Sequence, residues 1–221
     1  MRNVRDSVLG ISIDMIQAIA AKDVTLRELK QNFGIQMAQD PAFFPEWLDG
    51  FATLSKEDRH LLDRVKANFL ALMEDPPMLE NTVKMVVIAP LLDLAGFYHK
   101  PFRIETETSV ALEMKDEGTV IRGRIDVLVL KNRLWLLVIE SKRSDFAVTR
   151  AIPQALAYML SNSEMVKPTF GMITNGNEFL FLKTSQHEYA NSRLFSLVNP
   201  DNELYSVLQV LKYLGAKINE L

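Results

Sequence analysis

Cysteine is missing from the chain, which removes disulfides, thiolate zinc sites and cysteine nucleophiles at once. Histidine is scarce: His60, His99 and His187 stand far apart without ligand spacing and read as ordinary surface or half-buried residues. No run approaches the roughly 18 apolar residues that a membrane span requires. The best stretch, 85–98, is broken by Pro90 and Asp93, so no membrane partner is expected. The first residues carry acids inside their apolar part and lack a small-residue cleavage pattern; no secretory signal is read, and a cytoplasmic protein is expected. The Gly-x-x-x-x-Gly-Lys-Ser/Thr loop of ATP-driven motors occurs nowhere.

A large charge excess is missing too. The net charge of −3 argues against coating nucleic acid through bulk positive potential. The distribution is uneven, with −4 over residues 1–80 and +1 over 81–221. Lys142, Arg143 and Arg150 form a local basic cluster, so a nucleic acid held locally remains a candidate substrate.

What is present is an ordinary globular composition, 48% hydrophobic and 24% charged over 221 residues, enough for a sizeable core. Residues 1–75 read as helical. Thr25–Glu28 and Ser55–Asp58 both fit a capping box, in which a hydroxyl and an acid three residues on satisfy free amides. The connector 40–47, with Phe43, Phe44 and Trp47 between prolines, reads as core filler. Glu74-Asp75-Pro76-Pro77 is the clearest break, which divides the chain into a helical extension, 1–75, and a main domain, 76–221. A helix follows from about residue 79 to a stop at Gly96. Strands are expected over 104–114, 119–130 and 134–140, then a helix over 151–160, a hairpin of 169–174 and 178–183 around Asn175-Gly176-Asn177, and a helix over 202–214. The order implies an α/β (mixed α+β) fold, a mixed sheet flanked by helices.

Two apolar strands each carry a charge that a buried sheet would refuse. Asp126 lies amid Ile125, Val127, Leu128 and Val129, and Glu140 ends six residues without a polar side chain. Burying a bare carboxylate costs several kcal/mol unless a cation or hydrogen bonds offset it. Glu140 and Lys142, two apart, share a strand face. A three-residue loop at 131–133 would place Asp126 opposite Val138, on the face of Glu140 and diagonal to it; a two-residue loop without a bulge would turn Asp126 to the other face. Asp126 could instead be a structural partner of Arg122 or Arg124, and Glu140–Lys142 an exposed ion pair worth under about 1 kcal/mol. Two carboxylates without histidine or cysteine suit a hard cation, Mg²⁺ or Mn²⁺, which activates water and neutralises charge on a phosphate. Lys142 beside it could hold that water or the phosphate.

Asp126, a gap of 13 residues and then Glu140-Ser141-Lys142 resemble the D…(D/E)xK core of the PD-(D/E)xK nuclease superfamily. Gln154 and Tyr158 resemble the QxxxY motif carried by some branches on the following helix, and Glu80 resembles the first-helix acid. In combination these are similar to the N-terminal nuclease domain of type I restriction enzyme R subunits, over residues 79–174, with 1–75 outside the resemblance. The resemblance implies a restriction-endonuclease-like sheet, metal ligation by Asp126, Glu140 and the Ser141 carbonyl, and action of Lys142 on the water or phosphate. It further implies a water-mediated role for Glu80, and ordering of the site or nucleic-acid contact by Gln154 and Tyr158. Ile125 replaces the usual proline, Ser141 replaces a usual apolar residue, and Pro153 has to lie in the first helical turn.

The expected activity is Mg²⁺- or Mn²⁺-dependent hydrolysis of DNA, with RNA open, and with Arg124, Arg143 and Arg150 as candidate phosphate contacts. The alternatives are a catalytically silent nucleic-acid-binding or assembly module, and an N-terminal surface that docks a second copy or a separate subunit.

Overall fold

A computed structural model describes residues 17–48, 53–75, 77–114, 119–131, 134–162 and 167–217, without the side chains of 134–137. The first 16 residues, where no secretory signal is read, lie outside the described residues, as does Pro76. In chain order the elements are β1 (Gln17–Ala20), α1 (Leu26–Phe33), β2 (Gln36–Met37) and α2 (Lys56–Leu72). Next, Glu80–Val83, a π-helical turn Lys84–Ile88 and Ala89–Leu94 run on as one helix, α3. Then come β3 (Phe102–Glu113), β4 (Thr119–Lys131), β5 (Leu134–Ser141), α4 (Ile152–Leu160), β6 (Thr169–Thr174), β7 (Glu178–Ser185), β8 (Glu188–Ser196) and α5 (Leu204–Lys217).

The local signals explain most boundaries. Both capping boxes form, at Thr25 and at Ser55. Gly96 ends α3 with φ +81°, in the left-handed region where glycine carries no Cβ penalty. Pro153 sits in the first turn of α4, where its missing N–H costs nothing. In the β6–β7 turn Asn175 Oδ1 accepts the amides of Asn177 and Glu178, and Gly176 takes φ +87°.

Eight strands form one mixed sheet in the order β1-β4-β5-β6-β7-β8-β2, with β3 also paired to β4. Pairs β1–β4, β5–β6 and β2–β8 are parallel, and the rest are antiparallel. Helices cover both faces. Leu62 and Phe69 of α2, Val83 and Leu91 of α3, and Leu204, Leu208 and Leu211 of α5 pack on Val127, Ile139, Phe170 and Phe181. Leu29 of α1 and Ala155, Leu156 and Met159 of α4 pack on Ile125, Leu128, Val138 and Ile173.

Two expectations change. The segment before residue 76 is not wholly helical, since it supplies β1 and β2 to the sheet. Its Phe44, Leu62 and Phe69 share a core with Phe170 and Leu208 from beyond residue 76. The connector packs as expected, with Phe44 near Phe170 and Trp47 edge-on to Phe195. Strand β8 is a second addition to the expected elements: Glu188, Asn191, Ser192 and Arg193 hide its alternation.

The β3–β4 ribbon turns over in its middle. Phe102 and Ile104 of β3 pack with the α2–α3–α5 side, whereas Val110 and Leu112, of the same parity, pack with the α1–α4 side. In β4 the same exchange separates Val127 and Val129 from Ile121 and Ile125. The exchange falls at Glu107, which takes φ +54°, and at Asp126 opposite it. On the other edge of β4, pairing with β1 ends at Arg122 and pairing with β5 begins at Val127. The opening between these two partners holds the candidate site.

Candidate active site

The β4–β5 register differs from the three-residue loop expected. Lys131 pairs with Leu134, and the register then shifts between Val129 and Leu130, so that Val127 pairs with Ile139. Without that bulge Asp126 would face away from Glu140. With it, continuing the register by one residue sets Asp126 directly opposite Glu140, closer than the diagonal placement expected. The same continuation across β3 sets Glu107 opposite Asp126. Three carboxylates therefore lie in a row across three strands.

Cations interleave that row. Lys84 Nζ lies 2.5 Å from Asp126 Oδ1 and 3.1 Å from Glu107 Oε1. Arg124 Nη1 is 3.4 Å from Glu107 Oε2. Lys142 Nζ lies 2.5 Å from Glu140 Oε1. Asp126 thus pairs with Lys84 and not with Arg122 or Arg124. Its Oδ2 accepts the Ser141 amide at 2.7 Å, which holds the carboxylate where β5 leaves β4.

A hydrogen-bonded chain fixes Lys142. It donates to Gln154 Oε1 at 2.9 Å, and Gln154 Nε2 donates to the Tyr158 hydroxyl at 2.8 Å. One turn of α4 thus points both motif residues at the strand end. Gly123 makes room for the ring: a Cβ there would stand 2.5 Å from Tyr158 Cε1 and 2.8 Å from Ala21 Cβ.

Glu140 is the unusual group. Its side chain is 4% exposed, and its Oε2 is buried without a hydrogen-bond partner. Burial pushes its carboxyl up to about 7, against the pull of Lys142, and the charges of Asp126 and Glu80 add to the rise. Burial and the Glu140 charge push the Tyr158 hydroxyl up to about 12. Desolvation works against the Lys84 ammonium, yet Asp126 and Glu107 hold it above the ordinary lysine range.

A cleft of about 420 Å³ adjoins these groups, lined by Lys22, Glu80, Lys142, Arg143, Arg150 and Gln154 among others. Asp126, Glu140, Lys142, Gln154 and Tyr158 are thus brought together. Glu80 lines the cleft, and its main-chain carbonyl accepts the Ser141 hydroxyl at 3.5 Å. Among the described residues no three Asp, Glu or His side chains gather closely enough to hold an ion, so Glu80 is not a third direct ligand in this arrangement. Arg143 is engaged by Asp145 through two contacts of 3.1 and 3.2 Å, and Arg124 by Glu107. The sequence reading missed Lys22, Lys84 and Glu107. Only Lys84, on the helix face of Glu80 four residues on, carried a usable signal.

The residues fit a divalent ion held by two carboxylates. A buried carboxylate oxygen without a partner, beside a second carboxylate, is the donor set such an ion takes. No helix among the described residues is long and apolar enough to cross a membrane.

A family model described as the type I restriction enzyme R protein N terminus matches residues 27–190. The match starts well before residue 79, so α1 and α2 belong to the shared region. Among solved structures the chain is similar to a fragment described as an HsdR subunit of a type I restriction enzyme from Vibrio vulnificus YJ016. Identity is 21% and the TM-score 0.41, over 66% of this chain and 27% of that one. The chain thus spans about a quarter of that relative. No curated protein matches.

Proposed function

From the premise that the chain belongs to the family of type I restriction enzyme R protein N termini, we propose that it is a divalent-metal-dependent nuclease domain that hydrolyses DNA phosphodiester bonds. The observation that carries this reading is Glu140 Oε2, buried without a partner on the strand end that faces Asp126. Glu46 Oε2 is buried without a partner too, but among the described residues only lysines face that carboxylate, whereas Glu140 stands beside a second carboxylate, the donor pair that a hard cation takes.

Asp126 and Glu140 would hold Mg²⁺ or Mn²⁺, with the Ser141 main chain beside them. When bound, the ion would supply an acidified water and neutralise charge on the phosphate. The rest is the work of the chain. Ser141 N–H keeps Asp126 turned toward Glu140. Tyr158 and Gln154 fix the Lys142 ammonium at the cleft wall, where it can hold a water or a phosphate oxygen as a point charge. Lys22, Arg143 and Arg150 offer phosphate contacts along the same cleft. Glu80 would act through water, and Arg124 would contact nucleic acid only after leaving Glu107.

The pairing of Lys84 with Asp126 favours a second reading, a silent nucleic-acid-binding module that keeps the fold and replaces the ion by lysine. Incubation of purified protein with plasmid DNA and Mg²⁺ or Mn²⁺ decides between them. Cleavage lost in Asp126→Asn and Lys142→Ala, with circular dichroism unchanged, is expected. Salt-sensitive binding without cleavage in any divalent ion establishes the silent module instead. Light scattering with and without DNA reports whether a homodimer or a separate subunit is needed.

A further inference from the structure

Lys84 touches the site from a third element and belongs to no motif of the sequence. It opens the π-helical turn of α3, and its ammonium reaches Glu107 of β3 and Asp126 of β4. Both Asp126 oxygens are occupied, Oδ2 by the Ser141 amide and Oδ1 by Lys84. The amide is fixed in the backbone, whereas the ammonium rides on four rotatable carbons. A divalent ion held at Asp126 Oδ1 would share that oxygen with the Lys84 ammonium, and repulsion between the two cations would drive the lysine off.

The displaced ammonium has somewhere to go. Lys84 is 19% exposed and would be costly to leave unpaired, but Glu107 already holds it at 3.1 Å. Glu107 is half exposed and adopts φ +54°, an uncommon conformation for a glutamate, at the residue where the ribbon changes faces. That conformation sits opposite Asp126, within reach of the same lysine.

We infer that Lys84 and Glu107 form a built-in cation-exchange pair, in which Lys84 is the resident cation of Asp126 and moves onto Glu107 alone when a divalent ion enters. The inference rests on the metal reading of Asp126 and Glu140 given above. Lys84 is then a positioning residue that keeps Asp126 ordered without an ion and sets the threshold for loading. Metal affinity is the quantity it controls, and Glu107 lowers the threshold by keeping the lysine paired.

Calorimetric titration of Mn²⁺ into the full chain without nucleic acid tests this, using wild type, Lys84→Met, Glu107→Gln and the double variant. Lys84→Met is expected to bind about tenfold more tightly, within the usual range of coupling between two ligands. Glu107→Gln is expected to bind several-fold more weakly, and most of that loss is expected to vanish in the double variant. Strictly additive effects overturn the exchange, because two distant charges would behave that way. Equal affinity in wild type and Lys84→Met overturns it too, while leaving the metal reading intact. Absence of binding in all four proteins overturns the metal reading, and the exchange with it. Should Lys84→Met fail to fold, Lys84→Arg decides. Its bidentate fork grips Asp126 harder, so weaker Mn²⁺ binding is expected and tighter binding overturns the inference.

Discussion

The Ser141 amide donates to Asp126 Oδ2 at 2.7 Å, so an acid side chain of β4 completes the hydrogen bonding of β5 where the two strands separate. Asp126 therefore has a structural task beside any catalytic one. Asp126→Ala leaves the Ser141 amide without its partner and Lys84 with Glu107 alone, at a cost of about 1–3 kcal/mol. Asp126→Asn keeps an acceptor for the amide, but it loses the charge and turns its NH2 toward Lys84, which is left with Glu107. Thermal melts are expected to separate the two variants by several degrees, whereas metal binding and cleavage fail in both. Equal melting temperatures would show that the amide bond contributes nothing.

Glu140 makes the metal-free protein less stable as pH rises. Its carboxyl ordinarily titrates near 4.5 and is pushed up to about 7 in the fold. Between those values the folded chain binds more protons than the unfolded chain, so stability falls with rising pH and levels off above about 7. The whole span is worth about 3 kcal/mol. Melting temperatures in chelator at pH 5 and pH 8 are expected to drop for wild type, and much less for Glu140→Gln. A Glu140→Gln profile parallel to wild type rules Glu140 out as the titrating group.

The pairing of these two acids was only half legible in the sequence. Apolar neighbours flagged Asp126 and Glu140, and the two-residue spacing placed Lys142 beside Glu140. Register was not legible, because a bulge between Val129 and Leu130 reverses what a two-residue loop implies, and bulges leave no composition signal. The capping boxes, the Asn175-Gly176 turn and α4 were readable because their causes are local. β1 and β2 escaped because four- and two-residue edge strands owe their existence to β4 and β8 rather than to their own pattern. Glu107 escaped for a related reason: its backbone conformation is set by the turnover of the ribbon.

Tyr158 acts on Lys142 only through Gln154, which yields an ordered set of losses. Lys142→Met removes the charge itself and is expected to lower cleavage by about 10²–10³-fold, the scale for losing one preorganised electrostatic group. Gln154→Leu removes one of the two acceptors of the ammonium and leaves Glu140, and Tyr158→Phe removes the partner of Gln154 together with a bond to the Arg124 main chain. Single-turnover cleavage is expected to fall in the order Lys142→Met, Gln154→Leu, Tyr158→Phe. A Tyr158→Phe loss as large as that of Lys142→Met would mean that the hydroxyl touches the substrate directly.

Gly123 ties the N-terminal segment to this chain of contacts. Its missing Cβ lets Tyr158 and Ala21 approach β4 together, and an added methyl would stand 2.5 Å and 2.8 Å from them. Gly123→Ala is expected to cost about 1–3 kcal/mol by overpacking. It is also expected to slow cleavage while leaving Mn²⁺ affinity nearly unchanged, since Asp126 and Glu140 lie beyond the clash. Denaturant titration and calorimetry on one preparation check both halves.

Lys22 lines the cleft from the turn after β1, so on the proposed nuclease reading the segment before residue 76 would meet the substrate as well as fill the core. Lys22 and Arg150 are exposed there and have no ion-pair partner among the described residues, whereas Arg143 is already held by Asp145. A cation that releases a counterion on meeting a phosphate contributes to the salt dependence of binding, and one already neutralised contributes less. Anisotropy titrations of a short DNA duplex in Ca²⁺ over a range of salt concentrations separate these cases. Lys22→Ala and Arg150→Ala are each expected to reduce the slope of log affinity against log salt by nearly one. Arg143→Ala is expected to change it by much less. If Arg143 dominates instead, the strand runs past the Asp145 side of the cleft, and Lys22 serves only to anchor the N-terminal segment.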